Sequence, residues 1–351
     1  MTLRGSRARL RGSRARLRAA VLAAFGLAFF GLALAPQARA EDAAAPAPCI
    51  GRDLAEGADL REARLKRADD LVDAEGLLWR VEREGLAPSY LFGTIHSTDE
   101  SAVALARKAA EFVASSKVVA TELGGPFDAV DQGDLAAKML AKAIARDEDT
   151  FAPALTGQSA ASVEAYLAGR GFSKELAHHL QLWFLAAAVS APSCEAARAR
   201  QGLPEVDSVI ALAGKERGLR VVALESAQEQ IDALAAAPPA LSATMLAAAA
   251  RAPELDDDAY ATLLVLYREK RPAEMLAVAD VMPGLTPAER AAEDEFTRLL
   301  LVGRNEAMAA RAAPLLAAGG AFIAVGALHL SGRNGLIERF RAAGYSVVNV
   351  W

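Results

Sequence analysis

Two motifs of the same form, each at the end of a β-rich run, carry residues well suited to chemistry. They are GTIH, ending at His96, and GALH, ending at His329, and they contain two of the four histidines in the chain. Glutamates end two further runs, Glu122 after VVAT and Glu225 after VVAL. Because ligands of parallel α/β sheets bind beyond the carboxyl ends of the strands, these four side chains are predicted to share one site.

The chemistry that these residue types support is metal-assisted hydrolysis. Two imidazoles and a carboxylate, here His96, His329 and Glu122, form an open three-ligand site for a divalent transition metal. Such an ion activates water, and a second carboxylate, Glu225, could accept the proton. The glycine three residues before each histidine allows close backbone approach. The simpler alternative is that the histidines are hydrogen-bonded structural residues and that the glutamates cap helices or pair with arginine.

The other histidines are expected to lie outside this site. His178 and His179 fall in a segment of helical period, 159–190, and adjacent side chains on a helix point about 100° apart, so they cannot easily face one metal. Ser97 and Ser331 follow the two motif histidines closely and are candidates for hydrogen bonds to substrate or to the metal ligands.

The elements that must position these residues alternate between strands and helices. β-rich runs are predicted at 77–82 and 90–95, as a hairpin, and at 118–120, 220–224, 322–325 and 345–350. Long helical segments lie between them, and several end in glycine just before a strand. The pattern predicts an α/β fold with a mixed, largely parallel sheet flanked by helices. Residues 130–200 and 240–300 lack a strand signal and are predicted to form a large helical insertion.

The N-terminus has the three parts of a secretory signal peptide. Arginines crowd residues 1–18, an apolar run covers 19–35, and Ala38-Arg39-Ala40 supplies a small-x-small cleavage site. Cleavage after Ala40 is predicted, so residues 1–40 are the signal peptide and the protein is periplasmic or secreted; an uncleaved anchor is the alternative. Residues 41–75 are expected to form a flexible leader and an N-terminal helix.

Charge and composition exclude several classes of partner. The net charge is −5, and residues 1–40 carry arginines but no acidic residue, so their removal leaves a more acidic chain. Phosphate backbones repel such a chain, and nucleic acid is not an expected partner. Since no basic amphipathic stretch is present, stable membrane association after signal cleavage is not expected either. A peptide or small-molecule substrate is the expected partner.

The two cysteines, Cys49 and Cys194, are the whole thiol content of the chain. An even count in an oxidising compartment favours a disulfide between them, and two separate thiols are the alternative. Without a CxxC spacing, a two-thiol metal site is not expected.

Several segments together resemble the TraB/GumN family, the bacterial relatives of the Tiki proteases. They are LWRV from Leu78, YLFGTIH from Tyr90, VATE from Val119, GLPEVD from Gly202, VALESAQEQ from Val222, RNEAMA from Arg304 and VGALHL from Val325. They occur in family order, and the resemblance covers about residues 76–351. It implies a fold like that of the erythromycin esterase and ChaN-like group, a mixed α/β core with helical decoration.

The resemblance also implies roles for individual residues. The two Gly-x-x-His motifs of the family correspond to His96 and His329, and its acidic strand end corresponds to Glu122. Its Arg-Asn pair corresponds to Arg304 and Asn305, which the pattern alone would assign to a solvated helix face. Both become candidates for orienting the substrate or supporting the metal ligands. Tiki-like members are metal-dependent proteases, which implies a divalent ion of the manganese, cobalt or zinc type.

Three functions fit these observations. The first is a divalent-metal-dependent hydrolase that acts on peptides through the His/Glu/His site. The second is a non-catalytic protein that binds a peptide or another ligand in the same cleft. The third is a metal-free, esterase-like hydrolase in which His96 is the base and Glu122 or Glu225 orients it.

Overall fold

A computed structural model of the chain describes residues 49–56, 71–125, 129–145, 149–190 and 192–351. Within them the chain forms a six-stranded sheet. The strands are Leu78–Glu82 (β1), Ser89–Thr94 (β2), Val118–Thr121 (β3), Arg220–Ala223 (β4), Ala321–Gly326 (β5) and Ser346–Asn349 (β6). Each coincides with a predicted β-rich run to within one residue at either end, so these six predictions are confirmed.

The sheet order is β4-β3-β5-β2-β1-β6, and its first four strands run parallel to one another. β1 is antiparallel to both β2 and β6. The predicted mixed, largely parallel sheet is therefore confirmed. Thr94 of β2 pairs with Gly326 of β5, so these two strands end side by side.

Helices form the connections between the parallel strands. The helices of the described chain are Glu100–Val113 (α1), Ala129–Ala143 (α2), Phe151–Ala154 (α3), Gly157–Ala168 (α4), Lys174–His178 (α5), Leu182–Val189 (α6), Ser193–Arg200 (α7), Val206–Glu216 (α8), Ala227–Ala235 (α9), Pro239–Arg251 (α10), Glu254–Arg268 (α11), Val278–Val281 (α12), Pro287–Ala318 (α13) and Leu336–Ala342 (α14). Short 3₁₀ turns cover Pro272–Ala277 and Ala327–His329. The long helical stretches on either side of β4 form the predicted insertion.

Each face of the sheet is covered by its own hydrophobic core, because successive side chains of a strand point to opposite faces. Val119 of β3 belongs to the larger core, where α8 packs so closely that a Cβ on Gly214 would lie 2.7 Å from Val119 Cγ2. Its neighbour Ala120 belongs to the second core, which contains Met308 of α13 and Phe340 of α14. The sheet is therefore held between two helical layers that fix its strand ends.

The helical segment 159–190 does not form one helix. Gly171 adopts a φ of 89°, a left-handed conformation that suits glycine, and it separates α4 from α5. The Ser173 side chain then accepts a hydrogen bond from Leu176 N and begins α5 as an N-cap. A second break follows at Leu180, which forms an isolated bridge with Ile144. The helical spacing of apolar residues thus continues across two turns, and the sequence pattern therefore does not reveal the breaks.

A disulfide joins Cys49 to Cys194, which confirms the predicted pairing. Among the described helices, none is by itself long and apolar enough to cross a membrane, and α9 and α10 meet that criterion only jointly, with a bend of 84° between them. The predicted signal peptide and most of the predicted leader lie outside the described residues.

Candidate functional site

Four polar side chains follow the carboxyl ends of the four parallel strands. Across the sheet from β4 to β2 they are Glu225, Glu122, His329 and His96. The order along the sheet differs from the order along the chain because β5, although late in sequence, lies between β3 and β2. This insertion brings His329 next to Glu122.

Glu122 is a buried carboxylate whose two oxygens are both engaged. Oε1 accepts a hydrogen bond from Gly326 N at 2.6 Å, and Oε2 accepts bonds from Arg304 Nη2 at 2.6 Å and Gln230 Nε2 at 3.0 Å. Burial opposes its ionisation, but the Arg304 charge, the neighbouring histidines and the Gly326 bond outweigh it and lower the pKa to about 2. Glu122 is therefore a carboxylate at any working pH.

Arg304 joins the two acidic strand ends. It reaches in from α13 and donates from Nε to Glu225 Oε1 at 2.9 Å and from Nη2 to Glu225 Oε2 at 2.6 Å. Gln230 of α9 also bonds to Glu225, at 3.1 Å. Burial opposes the Arg304 charge, yet the two carboxylates raise its pKa above the ordinary value. The guanidinium thus compensates buried negative charge and fixes the carboxylates in place.

His329 is buried and uncharged. Its Nδ1 lies 2.6 Å from Asn305 Oδ1, and Asn305 Nδ2 donates to Asn334 O at 3.0 Å, which orients the amide. Facing an amide oxygen, Nδ1 carries the proton and Nε2 keeps its lone pair. Burial and the Arg304 charge lower the pKa of His329 to about 3. Nε2 lies 3.8 Å from Glu122 Oε1, so a neutral imidazole nitrogen faces an ionised carboxylate.

His96 has an acidic environment instead. Its Nδ1 lies 3.2 Å from Asp207 Oδ2 and 3.9 Å from Glu205 Oε2. The Asp207 contact is close enough for an ion pair but is not aligned as a hydrogen bond, so both atoms are buried without a hydrogen-bond partner. Thr94 Oγ1 donates to the other Asp207 oxygen at 2.7 Å. Burial opposes the imidazolium, but these carboxylates and Glu122 raise the pKa of His96 to about 9.

The two motif glycines are sites of close approach, as expected from the sequence. A Cβ on Gly93 would lie 2.6 Å from Leu330 Cδ1 and 3.0 Å from Ala327 Cα. A Cβ on Gly326 would lie 3.1 Å from Glu122 Oε1 and 3.4 Å from His329 Cδ2. The first glycine lets the His329 turn pack on β2, and the second lets Glu122 reach the backbone of β5.

Direct contacts thus join Glu122 to Glu225, through Arg304, and to His329. His96 contacts Asp207 and Glu205 instead, and it is connected to Glu122 and His329 only by the effect of its charge on their pKa values. Asn305 joins it through its bond to His329. Ser97 does not face the site, since its Oγ lies 2.6 Å from Tyr260 OH, and Ser331 donates to Asp73 O at 2.8 Å.

The two remaining histidines bond to other residues of the helical region. His178 lies between Asp149 and Glu164, with Nδ1 and Nε2 at 2.8 and 3.1 Å from their carboxylates. His179 Nδ1 lies 2.7 Å from Glu175 O.

Three residues of the site were not among the sequence candidates: Glu205, Asp207 and Gln230. Each lies inside a segment that carries the family resemblance, GLPEVD or VALESAQEQ, so a signal was present. They lie at or near the starts of α8 and α9 rather than directly after a strand, so a search for polar residues at strand ends does not find them.

The donor chemistry fits a divalent ion. Within the described residues, no three histidine, cysteine or acidic side chains are already arranged to hold one. However, His329 offers an unprotonated Nε2, and the separation of 3.8 Å from Glu122 Oε1 is close to the roughly 3 Å between two ligands of one ion. His96 Nδ1 and Asp207 Oδ2 are further buried polar atoms that form no aligned hydrogen bond, although they lie 3.2 Å apart.

Comparison with known proteins identifies one family. A sequence model described as the TraB/PrgY/gumN family matches residues 77–349, which span every strand end described above. No curated protein and no solved structure matches the chain.

Proposed function

Because the chain belongs to the TraB/PrgY/gumN family, we propose that it is an exported hydrolase that cleaves peptides with a divalent metal ion held by His96, Glu122 and His329. The observation that carries the proposal is the pairing of a neutral, buried imidazole nitrogen with an ionised carboxylate 3.8 Å away. Lone pairs of this kind, shielded from water, are what a transition metal of the manganese, cobalt or zinc type requires.

The surrounding residues support the ligands in distinct ways. Arg304 keeps Glu122 ionised, and Asn305 holds the His329 tautomer whose Nε2 is unprotonated. Asp207 lies against His96 and orients its ring. An ion bound there supplies Lewis acidity to water and to a peptide carbonyl.

Glu205 is the carboxylate best suited to accept a proton. Both Glu225 oxygens are held by Arg304, whereas in the described part of the chain the Glu205 carboxylate accepts no hydrogen bond. Burial and the charges of Asp207 and Glu195 raise its pKa to about 7, although His96 lowers it. A base with a pKa near the working pH transfers protons efficiently. In this proposal Glu225 holds Arg304, and Glu205 takes the proton of the attacking water.

The metal-free alternative with His96 as the base is less well supported. In the metal-free protein a pKa of about 9 keeps His96 protonated at neutral pH, so it cannot accept a proton there, whereas a bound metal ion would displace that proton. Glu122 and Glu225 bond to Arg304 and Gln230 rather than to His96.

Cobalt titration and peptide cleavage together test the proposal. Metal-free protein is titrated with Co²⁺ and followed by visible absorption, and the loaded protein is incubated with a peptide library analysed by mass spectrometry. We expect stoichiometric binding, cleavage that a chelator abolishes, and loss of both in His96→Ala and His329→Ala. His178→Ala, a histidine bonded to Asp149 and Glu164, is the matched control and should leave both unchanged.

Each alternative gives a different result. Cleavage that resists chelation favours the metal-free hydrolase, and peptide binding without turnover favours the non-catalytic binder. Glu205→Gln should retain Co²⁺ binding while kcat falls by about 10²–10⁴-fold. Full activity of that variant would contradict the role of Glu205 as the base.

Export belongs to the same proposal. The tripartite N-terminus supports it, as does the Cys49–Cys194 bridge, since disulfides persist in oxidising compartments. Intact-mass measurement of protein from the periplasmic fraction should give a chain that begins at Glu41. A membrane-retained product that still begins at Met1 would reject cleavage.

A further inference from the structure

Glu195 is a buried carboxylate, adjacent in sequence to Cys194, that holds the two residues after His96. Oε2 accepts bonds from Thr98 N at 3.0 Å and Thr98 Oγ1 at 2.7 Å. Oε1 accepts from Ser97 Oγ at 3.2 Å and also from Tyr260. Multiple donors make such an anion a rigid anchor, because any displacement leaves buried groups unpaired.

The helix that carries Glu195 depends on other contacts for its own position. The sequence of α7, SCEAARAR, has eight residues and no large apolar side chain, so little apolar burial can fix it. Apart from the main chain, the Cys49–Cys194 bridge attaches this helix covalently to the rest of the protein, and Cys194 is buried. The bridge therefore restrains the helix that supplies the anchor.

The other end of the bridge belongs to residues 49–56, which we call the N-terminal strap. The strap lies on α11: Arg52 N donates to Asp258 Oδ1 at 2.7 Å, and Leu54 N donates to Thr262 Oγ1 at 2.8 Å. A Cβ on Gly51 would lie 2.1 Å from Asp257 O, so the strap backbone is pressed against the helix. The strap thus links the two helices: the disulfide attaches it covalently to α7, and hydrogen bonds attach it to α11.

α11 in turn holds both ends of the first Gly-x-x-His motif. Tyr267 donates to Gly93 O at 2.8 Å, before His96, and Tyr260 OH lies 2.6 Å from Ser97 Oγ, after it. Since α11 and α7 both form hydrogen bonds with this segment, their relative position decides where His96 lies.

We propose that the Cys49–Cys194 bridge, acting through Glu195, positions His96, so that reduction of the bridge loosens one side of the catalytic site while the sheet stays folded. The role of the site in metal binding rests on the proposed function, but the positioning itself does not. A dithiol supplies the two electrons and two protons that convert the bridge into two thiols, and it becomes a cyclic disulfide. Because the chain has two cysteines, this reagent has one disulfide target.

The experiment uses the full mature chain and compares its oxidised form with its dithiol-reduced form. Amide exchange at Thr98 and the imidazole NMR signals of His96 and His329 are measured without metal, and Co²⁺ affinity is measured separately. On reduction we expect faster Thr98 exchange, a changed His96 signal, an unchanged His329 signal and a loss of Co²⁺ affinity of about 10- to 100-fold. Unchanged Thr98 exchange or an unchanged His96 signal would overturn the proposal.

Variants separate Glu195 from the bridge. Glu195→Gln keeps the side-chain shape but loses one acceptor, so it should reproduce the Thr98 and His96 changes with the disulfide intact, and reduction should add little to them. Fully additive effects would overturn the coupling. Glu295→Gln, at an exposed pair with Arg298, is the matched control. If the oxidised protein binds no Co²⁺, the proposed function fails, and Thr98 exchange and the His96 signal still decide this inference.

Discussion

The histidines that follow β2 and β5 end the same four-residue motif, yet their electrostatics are opposite. The His329 side chain is 5% exposed and its pKa falls to about 3, whereas the His96 side chain is 24% exposed and its pKa rises to about 9. The motif therefore determines where each ring lies relative to the end of its strand, but it does not determine the charge of the ring.

The difference arises from the helices that face each ring. Helix α13 presents Asn305 and Arg304 to His329, a neutral acceptor and a repelling cation. The start of α8 presents Asp207, with Glu205 just before it, to His96. A buried imidazole loses its proton unless an anion compensates the desolvation, and only His96 has acidic partners strong enough to do so. In the metal-free protein at neutral pH, one histidine is an imidazolium and the other a neutral base.

The largest effect is expected when the cation on the His329 side is removed. Arg304→Ala leaves the buried carboxylates of Glu122 and Glu225 without a counter-charge, and breaking a buried ion pair in this way costs about 3–5 kcal/mol of the free energy of unfolding. Urea denaturation measures the change. Arg298→Ala, at an exposed pair on the same helix, should cost less than about 1 kcal/mol. Similar costs for the two variants would contradict the role assigned to Arg304.

The two pKa shifts predict opposite pH dependences of stability in the metal-free protein. The raised pKa of His96 stabilises the fold below pH 6.5, and this contribution is lost as pH rises toward about 9. The lowered pKa of His329 has the reverse effect: stability is retained above pH 6.5 and falls as pH decreases toward about 3. Each slope is at most about 1.4 kcal/mol per pH unit.

Denaturation with a chelator present, at a series of pH values, measures both slopes. His96→Gln should flatten the profile between pH 6.5 and 9, and His329→Gln should flatten it between pH 3 and 6.5. If one variant flattened both windows, the contrast between the two rings would be wrong.

Substitutions of the two motif glycines should have different effects, one mainly on stability and the other mainly on metal affinity. Gly93→Ala puts a methyl group 3.0 Å or less from Leu330 and Ala327, and such overpacking costs about 1–3 kcal/mol of stability. Gly326→Ala meets Glu122 Oε1 at 3.1 Å and has a φ of −49°, so its backbone is not strained. Thermal unfolding should show the larger loss for Gly93→Ala, and Co²⁺ titration the larger loss of affinity relative to stability for Gly326→Ala. The reverse order would contradict the contacts described here.

The smallest effect tests the source of the His96 charge. Asp207→Asn removes one negative charge but keeps an acceptor for Thr94, so the pKa of His96 should fall from about 9 toward its ordinary value near 6.5. The His96 imidazole signals in an NMR titration report this change, and His329 serves as the internal control. An unaltered His96 titration would assign its charge to Glu205 and Glu122 instead.

The sequence alone determined the six strands and the polar residues that follow four of them. β-branched runs closed by glycine or by a polar residue are local features, and parallel strands present their carboxyl ends on one side whatever packs around them. His96, Glu122, Glu225 and His329 could therefore be identified from the chain as candidates at the strand ends. Arg304 and Asn305 needed the family resemblance, because the pattern of their helix does not distinguish a solvated face from one that enters the sheet.

Tertiary structure decided the rest, because the remaining contacts join distant segments through helix packing. Asp207 faces His96 and Gln230 bridges two carboxylates because α8 and α9 begin at the end of the sheet, which no local pattern specifies. Ser97 is buried and bonds to Tyr260 and Glu195 rather than facing the site, and these two residues come from two helices of the insertion. Whether each histidine carries a proton follows from those partners and from burial, and both are properties of the assembled fold rather than of the motif.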